Sequence, residues 1–139
     1  MQYTVKEMAN ELQLTTHAIR YYTDQGLIPH VTRDKNNNRL FDDEAKLWLL
    51  NVKYMRNCGM SIHDIKRYVE LNNEGVASIA ERFRILLKQK EIIHMKMKEL
   101  QESANYLDRK IEYYATTFLD IPAEEFVKKI SLEELSAGL

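Results

Sequence analysis

Stepping alternately by four and three residues from Ile79 meets Phe83, Leu86, Lys90, Ile93, Met97, Leu100, Ala104, Leu107, Ile111, Tyr114 and Phe118, and every position but Lys90 is apolar or aromatic. A repeat of that period puts all these side chains on one narrow stripe of a helix, the pattern of a coiled-coil seam. Between Gly75 and Pro122 the chain has neither glycine nor proline, so nothing breaks the helix. At about 1.5 Å per residue it is roughly 55–60 Å long, far more than the small region before it can cover. The stripe therefore needs another surface, and the simplest is a second copy in a two-fold dimer. Phe83, Leu86, Ile93, Met97, Leu100, Leu107 and Ile111 are the expected dimer contacts. Lys90 either snorkels out of the seam or helps set its register.

Ahead of this rod the helices are short. Thr4-x-x-Glu7 is a capping box, followed by Val5, Met8, Ala9 and Leu12 at helical spacing. Thr15 or Thr16 caps a second helix, with Ile19 and Tyr22 or Thr23 turned inward, and Gly26 suits a left-handed exit. Two short helices and a tight turn make a helix-turn-helix. "VTRDKNNNRLFD", residues 31–42, reads as a hairpin whose asparagines accept positive φ at the tip. Asp42 or Asp43 caps a third helix bearing Ala45, Trp48, Leu49, Val52 and Met55, and Ser61 opens a fourth with Ile62, Ile65 and Val69. Pro122 suits the first turn of a terminal helix burying Phe126, Val127, Ile130, Leu132 and Leu135. The expected division is 1–77, a helix-turn-helix domain with a hairpin wing; 78–118, a dimerisation helix; and 119–139, a helical tail.

The second helix carries the functional question. A helix in the major groove reads base edges with its N-terminal residues while its flanks meet phosphates. Thr16 and His17 stand where base edges would be met, and Arg20, one turn on, suits a guanine edge or a phosphate. Tyr21 and Tyr22 lie about 100° and 200° around the helix from Arg20, so one phenol is expected inside and the other on a phosphate. Arg33, Lys35, Asn38 and Arg39 of the hairpin would grip the adjoining backbone or minor groove. Net charge is −1, which excludes a surface that is basic all over but not a local basic patch. The competing reading is a coiled-coil adaptor that binds protein and no DNA. No nucleophile, base and orienting group occur together, and no glycine-rich phosphate loop is present, so an enzyme is not expected. The start "MQYTVKEMANEL" has no apolar core of a signal peptide, and no run is apolar enough to span a bilayer. With Cys58 as the sole cysteine, a cytoplasmic protein is expected.

"YTVKEMANELQLTTHAIRYYTDQGLIP", "RDKNNNRLFD" and "LWLLNVKYMRNCGMSIHDIKRYV", followed by the heptad helix, resemble the MerR family of bacterial transcriptional regulators from about residue 3 to 118. The resemblance implies a mainly α fold: a winged helix-turn-helix, a second helix pair as a further wing, and an antiparallel coiled-coil dimer. It also implies a homodimer on a near-palindromic promoter operator in double-stranded DNA. There an effector drives bending and untwisting that lets RNA polymerase read both promoter elements. It carries base or phosphate contact onto Thr16, His17, Arg20 and Tyr21, and wing contact onto Arg33 and Arg39. The family's wing-tip glycine and the aromatic after the arginine are replaced here by Asn38 and Leu40-Phe41, so a hydroxyl contact at position 41 is lost.

The sensor half departs further. Metal-sensing members carry cysteines beside and beyond the dimer helix, whereas residues 78–139 hold no cysteine and only His94. No metal and no cofactor are therefore expected. "NVKYMRNCGMSIHDIKRYV" looks like a branch that senses electrophiles through a lone cysteine, at the place Tyr54 occupies here. Cys58 comes one turn later. It is either a small buried hydrophobe or a redox sensor, with Arg56 and His63 as the cations that would favour its thiolate. Tyr106, Tyr113, Tyr114 and Phe118 either pack the tail or line a small-molecule pocket.

Overall fold

The hydroxyl of Thr4 accepts the Glu7 amide at 3.1 Å, and the first helix starts there. The structure, a computed structural model, describes residues 1–122. Helix α1, Val5–Leu12, stops at Gln13, which takes a left-handed conformation. Thr15 Oγ1 then accepts the Ala18 amide at 3.0 Å and opens α2, Thr16–Asp24. At its end Gly26 has φ +75 while the Leu27 and Gly26 amides return to the carbonyls of Tyr22 and Thr23. This Schellman closure needs a residue without a Cβ at that φ, and it turns Leu27 into the core.

The wing is broader than the expected hairpin. Strands β2, Thr32–Arg33, and β3, Arg39–Phe41, pair antiparallel, but β3 also pairs with β1, Tyr3–Thr4, giving the order β1-β3-β2. The register sets Tyr3 opposite Phe41, both buried, and the Tyr3 hydroxyl reaches Asp43 Oδ1 at 3.0 Å. Two residues beside a cap carry too little periodicity to mark a strand. Burial of the Tyr3 ring holds them there.

Helix α3, Asp43–Asn57, is capped by Asp42, whose Oδ1 accepts the Ala45 amide at 2.7 Å. Ser61 caps α4, Ile62–Asn73, through the Asp64 amide. Met8, Ile19, Leu27, Phe41, Leu49, Val52 and Ile65 are fully buried and join sheet and helices in one core.

The 36-residue helix α5, Ile79–Tyr114, matches the heptad reading, and a single π-type turn over Ala115–Leu119 replaces its expected last turn. The chain divides into two compact units, Met1–Ile93 and His94–Leu139. In the first, the Arg82 guanidinium ties α5 to Ser78 Oγ, Asn72 Oδ1 and the Gly75 carbonyl at 2.9–3.0 Å, and Ile85 packs on the core. Phe83 and Leu86 stay exposed and Ile93 half-buried. In the second unit, Met97, Leu100, Leu107 and Ile111 are exposed, and Tyr113, Tyr114 and Phe118 cluster with ring centroids 5.6–5.8 Å apart. The terminal helix expected after Pro122 lies outside the described residues. No helix among the described residues is long and apolar enough to cross a membrane.

Candidate nucleic-acid interface

Helix α2 buries Ile19 and half-buries Tyr22, which leaves His17, Arg20, Tyr21 and Asp24 on the outer face at spacings of three and four. Thr16 stands one turn before Arg20 on the same side and is exposed. The two phenols divide as their angular offset requires: Tyr22 packs on the core, Tyr21 remains 42% exposed, and their rings lie 5.9 Å apart. The exposed face thus offers hydroxyl, imidazole, guanidinium and phenol groups in consecutive turns, each able to donate to a base edge or a phosphate.

The wing tip is held by Asp34. Its Oδ1 accepts the amides of Asn36 and Asn38, both at 2.9 Å, and its Oδ2 accepts Asn38 Nδ2 at 3.3 Å. The Asn38 amide, then those of Asn36 and the Asn38 side chain, hold this carboxyl below the usual carboxylate range against its own desolvation, so it is ionised at neutral pH. Asn37 takes φ +64, the tip conformation that asparagine tolerates. Asn38, expected to touch DNA, spends its side chain within the turn. Lys35 is exposed at the tip.

Arg33 and Arg39 face each other across the hairpin, an arrangement that repels unless each charge is answered. Arg33 Nη1 donates to the Asn37 carbonyl at 2.9 Å, while Arg39 Nη2 lies 2.6 Å from Asp24 Oδ1 at the end of α2. The Arg39 side chain is only 15% exposed, and its Nε is buried with no partner among the described residues. This alters the expectation for Arg39: it ties the wing to the end of α2 and does not stand open as a phosphate clamp. Asp24 was missed in the sequence because a single acid at a helix end has no pattern that points fifteen residues ahead to its partner.

Arg20, Arg33, Asn38 and Arg39 come together around a notch of about 330 Å³ in the first unit, whereas Thr16, His17, Tyr21 and Lys35 do not border it. Lys6, from the first turn of α1, completes its rim and was also missed. Its only signal is its place two residues after the Thr4 cap.

Cys58 is exposed, which corrects the reading of it as a buried hydrophobe. It is the C-cap of α3, where the Gly59 and Met60 amides close on the carbonyls of Arg56 and Met55. Met60 takes the buried place instead. The thiol has neither expected helper: Arg56 Nη1 donates to the Met60 carbonyl at 2.8 Å, and His63 pairs with Asp64. Cys58 borders a largely apolar groove of about 390 Å³ with Tyr54, Met55, Met60, Leu86 and Ile93, and Gln89 Nε2 donates to its carbonyl at 2.7 Å. Among the described residues no group of three His, Cys, Asp or Glu is placed to hold a metal ion.

Residues 3–71 match the model described as MerR HTH family regulatory protein. The chain is 32% identical over 114 residues to an uncharacterized HTH-type transcriptional regulator of Haemophilus influenzae, covering 82% of this chain and 84% of that one. It is 36% identical over 87 residues to the HTH-type transcriptional regulator AdhR of Bacillus subtilis, covering 63% and 62%. Among solved structures it is similar to HiNmlR, a MerR family regulator lacking the sensor domain and bound to promoter DNA, with a TM-score of 0.70, 32% identity and coverage of 85% and 95%. A MerR family transcriptional regulator from Bacillus thuringiensis gives a TM-score of 0.68 at 30% identity, covering 82% and 100%.

Proposed function

We infer a mode of action from one premise: this chain belongs to the MerR family of HTH regulatory proteins, and so is a DNA-binding transcriptional regulator and not an enzyme. The adaptor reading, a coiled coil without DNA binding, falls with that membership. Two copies join along the α5 seam, because Phe83, Leu86, Met97, Leu100, Leu107 and Ile111 are exposed in the single chain and a stripe of that size favours burial. Each copy lays the outer face of α2 in a major groove, with Thr16 and His17 at base edges and Arg20 and Tyr21 at a base or phosphate. The wings bring Arg33 and Lys35 to the flanking backbone, with Arg39 bracing them from behind. A two-fold protein asks for a near-palindromic operator with half-sites about one helical turn, or a multiple, apart. Bending such a site in response to an effector is how the dimer would present a promoter to RNA polymerase.

The observation that carries this reading is the outer face of α2, where His17, Arg20 and Tyr21 stand exposed beside the cationic notch. Arg20→Ala is expected to weaken binding to a duplex selected by the protein from a random library by about 1–3 kcal/mol. An electrophoretic shift assay with unchanged affinity and unchanged salt dependence would remove Arg20 from the interface.

For the effector, the exposed thiol of Cys58 in its apolar groove supports an electrophile. An aldehyde would take the sulfur at its carbonyl carbon and the thiol proton at its oxygen, giving a hemithioacetal. Transcription from the protein's own promoter should respond to aldehydes with the wild type and not with Cys58→Ser. Equal responses would discard the thiol and favour the aromatic cluster of Tyr113, Tyr114 and Phe118, from which Tyr106 stands apart.

A further inference from the structure

The notch beside the wing gathers four cations from three separate elements: Lys6 of α1, Arg20 of α2, and Arg33 and Arg39 of the hairpin. Against them stand Asp34, whose oxygens are taken up by the wing turn, and Asp24, which neutralises Arg39. Among the described residues Lys6 and Arg20 have no ion-pair partner. Arg33 is held toward the tip by the Asn37 carbonyl, the only hydrogen bond of its side chain among the described residues. Like charges converging on one concave space repel each other, so the arrangement stores an attraction for an anion. At about 330 Å³ the notch is at the small end of ligand cavities, which run from about 300 to 1,000 Å³. Its rim is polar and cationic, which suits a small oxyanion and not an apolar effector.

We propose that this notch is a seat for one phosphodiester of the DNA backbone, gripped jointly by Lys6, Arg20 and Arg33, so that α1 is a DNA-contacting element alongside the reading helix and the wing. The seat rests on the DNA-binding reading above and adds a residue and a division of labour to it. Lys6, Arg20 and Arg33 share one phosphate, whereas Arg39, turned to Asp24, positions the wing. Three elements meeting at a single backbone point would fix the angle between wing and reading helix on the duplex. That angle is what a protein that distorts DNA must control.

The test uses the full chain and a duplex that the wild type has selected from a random library. Lys6→Ala should weaken binding about fivefold near 0.15 M salt and lower the slope of log K against log salt by about 1, as for one released counterion. Lys6→Arg should restore both. Among the phosphates at which a single methylphosphonate weakens wild-type binding, one per half-site should lose its effect in Lys6→Ala, and the same one in Arg33→Ala. An unchanged slope in Lys6→Ala, or different positions losing their effect in the two variants, overturns the shared seat. If inorganic phosphate at millimolar concentration shifts the Lys6 and Arg33 resonances of the free protein while Lys6→Ala leaves the slope unchanged, the ligand is a free anion and the DNA version is wrong. A wild type that selects no sequence and binds no duplex would instead bring down the DNA-binding reading, and the seat with it.

Discussion

Leu100→Glu will give a chain that folds as well as the wild type but sediments as a single subunit and loses tight operator binding. Leu100 is 70% exposed in the chain, so its removal takes nothing from the core. In a two-fold dimer the change is made twice. Burying a leucine contributes about 1.5–3 kcal/mol, so the pair accounts for roughly 3–6 kcal/mol of association. The new carboxylates must also be desolvated or forced apart. The dimer constant should therefore weaken by at least about a hundredfold. The effect on DNA follows because two linked reading heads gain about 10²–10⁴ in avidity over one. Ultracentrifugation and a titration of the selected duplex check both parts. A variant that remains dimeric would show that the stripe through Leu100 is not the contact between copies.

Phe41→Ala will unfold the N-terminal unit at a much lower temperature. Phe41 is fully buried on β3, opposite Tyr3, at the centre of the core that joins wing and helices. Truncating a buried phenylalanine to alanine costs about 3–5 kcal/mol, against a total stability of about 5–15 kcal/mol for a domain. At about 4–8 °C per kcal/mol for a small domain, the midpoint should fall by at least roughly 12 °C. Phe41→Leu, which keeps most of the volume, should lose far less. Thermal unfolding followed by circular dichroism distinguishes the two. A loss below about 1 kcal/mol in the alanine variant would place Phe41 outside the cooperative core.

Phe41 is fully buried and carries no hydroxyl that would need a partner. With no polar tip to bring to the surface, the ring is free to be buried completely. The wing then rests on α1 and α3 through apolar packing.

Local chemistry was legible residue by residue. The caps at Thr4, Thr15, Asp42 and Ser61, the left-handed Gly26, the wing-tip Asn37 and the long heptad helix all stand where their neighbours in the chain dictate. Each depends on contacts a few residues apart, on a hydroxyl reaching an amide three residues on or on apolar side chains recurring every turn. The inward and outward phenols of α2 were readable for the same reason, because helical geometry fixes their angle.

What only the tertiary structure decided are the meetings of distant residues. Strand β1 joins the wing because Tyr3 finds Phe41. Arg39 is withdrawn to Asp24, and Lys6 arrives beside Arg20 and Arg33. Cys58 is left in the open because the Schellman turn sends Met60 inward in its place. A single charge or thiol has no period and no local partner, so its environment is set by whichever surfaces the core brings together. The chain's order carries the elements and their buried faces. The convergence of charges into a site is a property of the packing.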